Sequence, residues 1–221
     1  MTDHRKRRVP QQSRSRDRVA RLLDTASRLV VTDGVDALGT RTIAHAAGVP
    51  VASLYQYFAD KDEILLALVE RDIEEMDARV ATGLAEGTEQ GLTLEGLVSA
   101  TVEAFVSVYR ERPAFVEIWL RGRGNQSVRD LCREHNRRVA AGLHALACES
   151  GLLAAGTPVR VAELAVEIGD RLFQLAFEDS LTGDDAILLE ARRAVVGYLH
   201  VHAADRSGAG TAAGTGARAE R

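Results

Sequence analysis

Apolar residues recur every three or four positions along most of this chain, and this spacing limits the fold more than any other feature. One long run begins at Lys61, and its apolar members are Leu65, Val69, Ile73, Met76, Val80 and Leu84. Such a spacing places side chains on one side of an α-helix, whereas a strand would show strict alternation. No alternating stretch in the sequence competes with this pattern. We therefore predict an all-α fold of about nine helices.

The sequence divides into a small head, a larger body and two polar ends. We predict a disordered basic arm over residues 1–13, a head over 14–61, a helical body over 62–205 and a disordered tail over 206–221. Residues 1–61 hold 11 Lys and Arg against 6 Asp and Glu, and the remaining residues hold 17 against 26. A basic head on an acidic body confines attraction for polyanions to one end of the molecule.

Composition argues against several classes of protein. Apolar residues make up 46% of the chain and charged residues 27%, which is typical of a globular protein. Cys132 and Cys148 stand alone without a second pair of ligands, so we expect reduced thiols and no metal site. No apolar run is long enough to span a bilayer or to act as a secretory signal. We expect a cytoplasmic protein.

Residues 40–61 contain two short helical patterns on either side of a glycine. We expect Thr40 to be the N-cap of the first helix, and Gly48 to end it in the left-handed conformation. Pro50 leads into the second helix, which we place at Val51–Tyr57. The first helix has an apolar side formed by Ile43, Ala44 and Ala47. Helices this short are unstable alone and must pack against longer neighbours.

The order of residues in this stretch follows a known motif. The matching positions are Thr40, Arg41, Ile43, Ala44, Ala47, Gly48, Val49, Leu54, Tyr55, Tyr57, Phe58 and Lys61. Together they resemble the helix-turn-helix of TetR-type transcriptional regulators, although Pro50 stands where that family usually has a capping serine. The resemblance implies a DNA-binding head, a helical domain that forms a homodimer and binds a small-molecule effector, and most often repression of transcription.

The resemblance also assigns residues to double-stranded DNA. Residues expected at base edges in the major groove are Val51, Ala52, Ser53 and Gln56. Residues expected at phosphates are Thr40, Tyr55, Tyr57 and Lys61, and Arg41 suits either role. A dimer presents two such heads, so the operator should be palindromic. Basic residues of the arm either contact the DNA backbone or are simply solvated.

Two further sets of residues are assigned within the body. The candidate lining of an effector pocket is Phe105, Tyr109, Trp119, His135, Phe173 and Phe177, each of which would otherwise be ordinary core. The candidate dimer interface is Leu164, Ile168, Leu172, Leu175, Val195, Tyr198 and Leu199, on the last two helices. Four acidic residues on the first of those helices are interpreted as a solvated face: Glu163, Glu167, Asp170 and Glu178.

Two alternatives belong to other classes of protein. The first is an all-helical enzyme whose head only resembles a DNA-binding unit, and the second is a dimeric interaction protein without an operator. The sequence carries no nucleophile elbow, no phosphate-binding loop and no zinc-protease motif. We therefore expect neither catalysis nor a cofactor other than an unidentified small-molecule effector.

Overall fold

The computed structural model describes residues 8–89, 91–122 and 125–204, with side chains from residue 14 onward. Every regular element within these ranges is helical, which confirms the all-α prediction. The head comprises α1 (Arg8–Asp33), α2 (Thr40–Ala46) and α3 (Val51–Leu54). The body comprises α4 (Lys61–Glu89), α5 (Leu94–Glu111), α6 (Pro113–Phe115) continued by a π-helical turn (Val116–Leu120), α7 (Gln126–Glu149), α8 (Val159–Ala176) and α9 (Asp185–His200).

The first helix is longer than the sequence suggested. It begins at Arg8, within the segment expected to be a disordered arm. Pro10 does not prevent this, because it falls in the first turn, where backbone N–H groups have no partner inside a helix. Residues 1–7 and the expected tail at 206–221 lie outside the described residues.

The turn between the two short helices forms as expected at Gly48 and differs at Thr40. Gly48 has a φ of 66°, the left-handed conformation that ends α2. The Val49 amide then donates to the Ala44 carbonyl at 2.9 Å and closes the turn. Thr40 is not the N-cap, as we had expected, but the first residue of α2, because Gly39 occupies the extended cap position. The Thr40 hydroxyl is therefore free to bond elsewhere.

A single apolar core joins the head to the body. Ile43 and Leu54 are fully buried in the head, where they pack with Leu22 of α1 and Ile64 of α4. The same cluster continues into the body around Phe115 and Phe177. Burial of this kind stabilises each large side chain by about 1.5–3 kcal/mol, far more than the intrinsic stability of helices as short as α2 and α3. The position of α3 is thus set by packing.

Ion pairs fix α4 against its neighbours on several sides. Arg71 reaches Asp24 of α1 at 2.9 Å, and Arg79 reaches Glu111 of α5 at 2.6 Å. Asp72 is buried on the same helix, and burial raises the pKa of its carboxyl against the opposing effect of Arg71. Because α4 runs from the head into the body, these contacts connect it to α1 in the head and to α5 in the body.

The last two helices place part of the expected dimer surface inside the protomer. Val195 and Leu199 are buried in a second apolar cluster between α8, α9 and α5, so they are not available to a partner. Leu164 and Leu175 of α8 are exposed at 45% and 37%. The expected interface is therefore corrected for Val195 and Leu199, which α9 turns inward, whereas Leu164 and Leu175 on α8 and Leu189 on α9 are exposed.

Within the described residues, no helix has the length and hydropathy needed to cross a membrane. Gly151 and Gly183 adopt positive φ angles in the turns before α8 and α9, a conformation that glycine reaches without steric cost. The turn at Gly183 connects α8 to α9, and the two helices pack against each other.

Candidate nucleic-acid interface and internal cavity

The outer surface of α3 and the turn after it is built from small or polar side chains. Ala52, Tyr55 and Gln56 are exposed, and Val51 and Ser53 are half-buried. Leu54 and Phe58, which alternate with them along the chain, face the core instead. The helix proper ends at Leu54, three residues before the predicted end, and Tyr55–Tyr57 continue it as hydrogen-bonded turns. The candidate base-reading residues thus lie together on one accessible surface.

The candidate phosphate contacts surround this surface. The hydroxyl groups of Thr40 and Tyr55 form a hydrogen bond of 3.1 Å, which connects the start of α2 to the end of α3. The Ser15 hydroxyl of α1 donates to the Tyr57 hydroxyl oxygen at 3.3 Å. A hydroxyl has one donor and two acceptor sites, so each pair retains capacity for a phosphate oxygen. Arg41 is exposed beside Thr40.

Lys61 has a partner inside the protein. Its Nζ, at the start of α4, donates to the carbonyl of Val35 at 3.4 Å, and Val35 lies in the loop between α1 and α2. The side chain is half-buried, and an ammonium has three donors, so one intramolecular bond leaves two available. Its role at a phosphate remains a prediction.

A largely apolar cavity lies between α5, α7, α8 and α9. It contains about 740 Å³ of atom-free space, including its opening to solvent. Aliphatic side chains such as Leu97, Val139 and Val166 form most of its wall. A largely apolar lining with a few polar groups suits a small organic molecule.

Only part of the predicted effector lining faces this cavity. Phe105 and Phe173 line it, with their rings stacked 6.0 Å apart. The other four predicted residues lie in the surrounding core: Tyr109, Trp119, His135 and Phe177. They belong to a packed aromatic cluster in which Tyr109 contacts Phe177 at a centroid distance of 5.3 Å. Helical spacing placed them on inward faces, but it did not separate the cavity wall from solid core.

The sequence analysis missed the polar groups of the cavity. Asn136 of α7 and Asp170 of α8 both line it, and Asp170 was assigned to a solvated acidic stripe. That assignment is wrong for Asp170, which is half-buried in the cavity wall, and burial raises the pKa of its carboxyl above its ordinary value. A signal was present: Asp170 follows Val166 by four residues and precedes Phe173 by three, which places it on their apolar row.

His135 connects the cavity wall to α4. It is fully buried, and its Nε2 lies 2.8 Å from Asp77 Oδ1 of α4. Burial lowers the pKa of the imidazole and so favours the neutral ring. The nearby Asp77 carboxylate opposes this effect. Within the described part of the chain, its Nδ1 has no hydrogen-bond partner. His135 precedes the cavity residue Asn136, so its bond to Asp77 links the cavity wall on α7 to α4.

Comparisons with known proteins agree with this architecture. A model described as "Bacterial regulatory proteins, tetR family" matches residues 22–68, and a model described as "Tetracyclin repressor-like, C-terminal domain" matches residues 93–199. The first covers the buried head core and the second covers the helices that form the cavity.

A solved structure extends the likeness to nearly a whole protein. A TetR-family transcriptional regulator from Streptomyces coelicolor is 30% identical, with a TM-score of 0.68, over 85% of this chain and 98% of the other. A likeness at this level covers the head and the body together.

Two curated relatives match over shorter segments. The transcriptional repressor KstR2 of Rhodococcus jostii is 30% identical over 96 residues, and the transcriptional activator FasR of Mycolicibacterium smegmatis is 36% identical over 89 residues. The matched part of the chain spans 47% of the length of the first relative and 39% of the second. The short helical head, the body behind it and these matches together show that the chain belongs to the TetR family of bacterial regulatory proteins.

Proposed function

We propose that this protein is a transcriptional regulator that binds a palindromic operator as a homodimer and leaves it when a small molecule enters the cavity. The observation that carries the proposal is the exposed surface of Ala52, Tyr55 and Gln56, held over a fully buried Ile43 and Leu54. A rigid support with small and polar side chains outward is what close approach to a major groove requires.

Specific chemistry on this surface supports reading of bases. The carboxamide of Gln56 can bond the N6 and N7 edge of an adenine, and the methyl of Ala52 can contact a thymine methyl. The hydroxyls of Thr40 and Tyr55 lie beside this surface and suit phosphate oxygens, which position the protein without specifying sequence.

The contacts around α4 support control by a ligand. Asn136 lines the cavity, and its neighbour His135 binds Asp77 of α4 at 2.8 Å. A molecule that shifts α7 would therefore move α4, whose first turns pack against α1 in the head. The effector can lower DNA affinity only by the amount that it prefers the shifted state over the DNA-bound one.

Repression is the direction of control that we propose. It is the usual mode implied by the family, and the matched relative from Rhodococcus jostii is named a repressor. The relative from Mycolicibacterium smegmatis is named an activator, so a promoter assay decides the direction. A reporter gene behind the protein's own upstream region should be expressed more strongly when the protein is absent.

The proposal is tested by titrating the protein into labelled DNA from the region upstream of its own gene, at several salt concentrations. We expect saturable binding. The logarithm of the association constant should fall linearly with the logarithm of the salt concentration, with a slope of about −0.9 for each phosphate contact. Lys61→Ala should weaken binding to all sequences. An absence of binding to this DNA and to a genomic fragment library at low salt would overturn the proposal.

A further inference from the structure

The cavity is asymmetric, and its polar end identifies a class of ligand. We propose that it binds an elongated apolar molecule carrying one protonated amine, with the ammonium paired to the Asp170 carboxylate and the apolar part directed toward Leu94 and Leu199. This inference rests on the proposed function only in so far as the ligand acts as an effector, since binding itself is independent of DNA.

The shape of the cavity supports an elongated molecule. Its wall on α5 extends from Leu94 to Phe105, a length of roughly 16 Å at the rise of an α-helix. Leu94, Leu153 and Leu199 form one end, and Phe105, Asp170 and Phe173 form the other. The carboxylate of the wall, Asp170, therefore lies near one end of a long apolar surface.

Two other polar residues of the wall already donate a hydrogen bond inside the protein. The Thr101 hydroxyl donates to the Leu97 carbonyl at 2.8 Å, and His144 Nε2 donates to the Thr157 carbonyl at 2.7 Å. Asp170 is the carboxylate of the wall and, with Asn136 beside it, can orient a cationic ligand atom.

The Asp170 carboxyl is held in place and keeps room for one more donor. Gln174 Nε2 donates to its Oδ2 at 2.8 Å, and Trp119 and Asn136 are further hydrogen-bonding neighbours. A carboxylate offers about four acceptor sites, so three neighbours leave one for a ligand. A protonated amine supplies a donor and a charge together.

Charge in the cavity favours a cation over an anion. Among the described residues of its wall there is neither a lysine nor an arginine to bind a carboxylate or phosphate. Desolvation by burial, reinforced by nearby Glu167, raises the pKa of Asp170. A cationic partner offsets that cost, whereas an anionic ligand would add a second negative charge in a poorly solvated site.

Three ligands of equal chain length test the proposal: decylamine, decanol and decanoate. Each is titrated into the full-length protein, and binding is followed by the fluorescence of the single tryptophan, Trp119, and by calorimetry. We expect decylamine to bind about 10-fold or more tightly than decanol, and decanoate to bind most weakly. Absence of decylamine binding, equal affinities for the three, or tightest binding of decanoate would overturn the proposal.

A charge-matched pair of variants locates the binding site. Asp170→Asn should lower the affinity for decylamine by about 10-fold while changing decanol affinity little. Asp179→Asn removes the same charge from an exposed position just beyond α8 and should leave both affinities unchanged. An equal loss in the two variants would assign the amine preference to overall charge and contradict the site.

The two proposals fail separately. If decylamine binds through Asp170 but does not alter binding to upstream DNA, the ligand site is supported and its role as an effector site is contradicted. If the protein binds DNA but shows no preference for decylamine, the proposed regulatory function is supported and the proposed amine site is contradicted.

Discussion

Gly48 sets the geometry of the head at the residue scale. Its φ is 66°, and an added Cβ would meet no described atom within 4 Å. The cost of Gly48→Ala is therefore backbone strain alone, and we expect the free energy of unfolding to fall by about 1–2 kcal/mol. Urea denaturation followed by circular dichroism measures this change.

Gly142 provides the matched control. It is exposed within α7, and an added Cβ there would also meet no described atom within 4 Å. Because its backbone is helical, Gly142→Ala should raise the free energy of unfolding by about 0.5–1 kcal/mol. A change of the same sign in both variants would contradict the role assigned to Gly48.

Gln56 and Tyr55 are expected to play different parts at the DNA surface. Gln56→Ala should relax base preference at one position of the operator, at a cost of about 1–3 kcal/mol on the preferred base. Tyr55→Phe should weaken binding to all sequences, because it removes a hydroxyl and the 3.1 Å bond to Thr40. Binding to a panel of operators with single base changes distinguishes these effects, and uniform loss in both variants would contradict the assignment.

Sequence predicted some residues well because their environment is local. The conformation of Gly48 follows from its place after an apolar helix, and the burial of Leu54 from its spacing to Phe58. Thr40 was misplaced by one position, since a cap depends on backbone angles that the neighbouring Gly39 also satisfies. Asp170 was misassigned because an acidic residue is normally solvated, although its spacing to Val166 and Phe173 places it on their apolar row.

At the scale of elements, the contact between α7 and α4 should depend on pH. Burial lowers the pKa of His135 in the folded state, so the unfolded chain takes up a proton at a higher pH than the folded protein does. The free energy of unfolding should then fall as pH decreases below about 6.5, by up to about 1.4 kcal/mol per pH unit from this group.

The variant His135→Leu isolates that contribution. It removes the titrating group and keeps an apolar side chain in the core, so its stability should decline less steeply with acidification than that of the unmodified protein. Urea denaturation at several pH values measures both slopes. Parallel curves would show that His135 contributes nothing to the pH dependence.

Helical spacing predicted the order of the helices better than it predicted which helices pack against each other. It indicated the long α4 and the paired α8 and α9, and the structure confirms both. It could not decide what each apolar row contacts, because spacing defines a face without identifying the neighbour. Val195 and Leu199 were therefore assigned to a partner subunit although they pack inside the protomer.

At the scale of the whole molecule, the exposed apolar side of α8 is the expected dimer contact. Leu164 is 45% exposed, so Leu164→Arg leaves the protomer core intact while placing a charge at the interface. We expect this variant to be monomeric in light scattering and to lose most of its affinity for a palindromic operator. Val31→Arg, at a residue 39% exposed on α1, should remain dimeric. Retention of the dimer by Leu164→Arg would place the interface elsewhere.

The central claim is that two copies of this protein read DNA through the surface around α3. Selection of bound fragments from random double-stranded DNA, followed by sequencing, tests it most directly. We predict an enriched palindrome whose half-sites are separated by a helical turn or a multiple of it, and a change at one position of each half-site with Gln56→Ala. Failure to enrich any sequence, or enrichment of an identical motif by Gln56→Ala and Tyr55→Ala, would contradict the account.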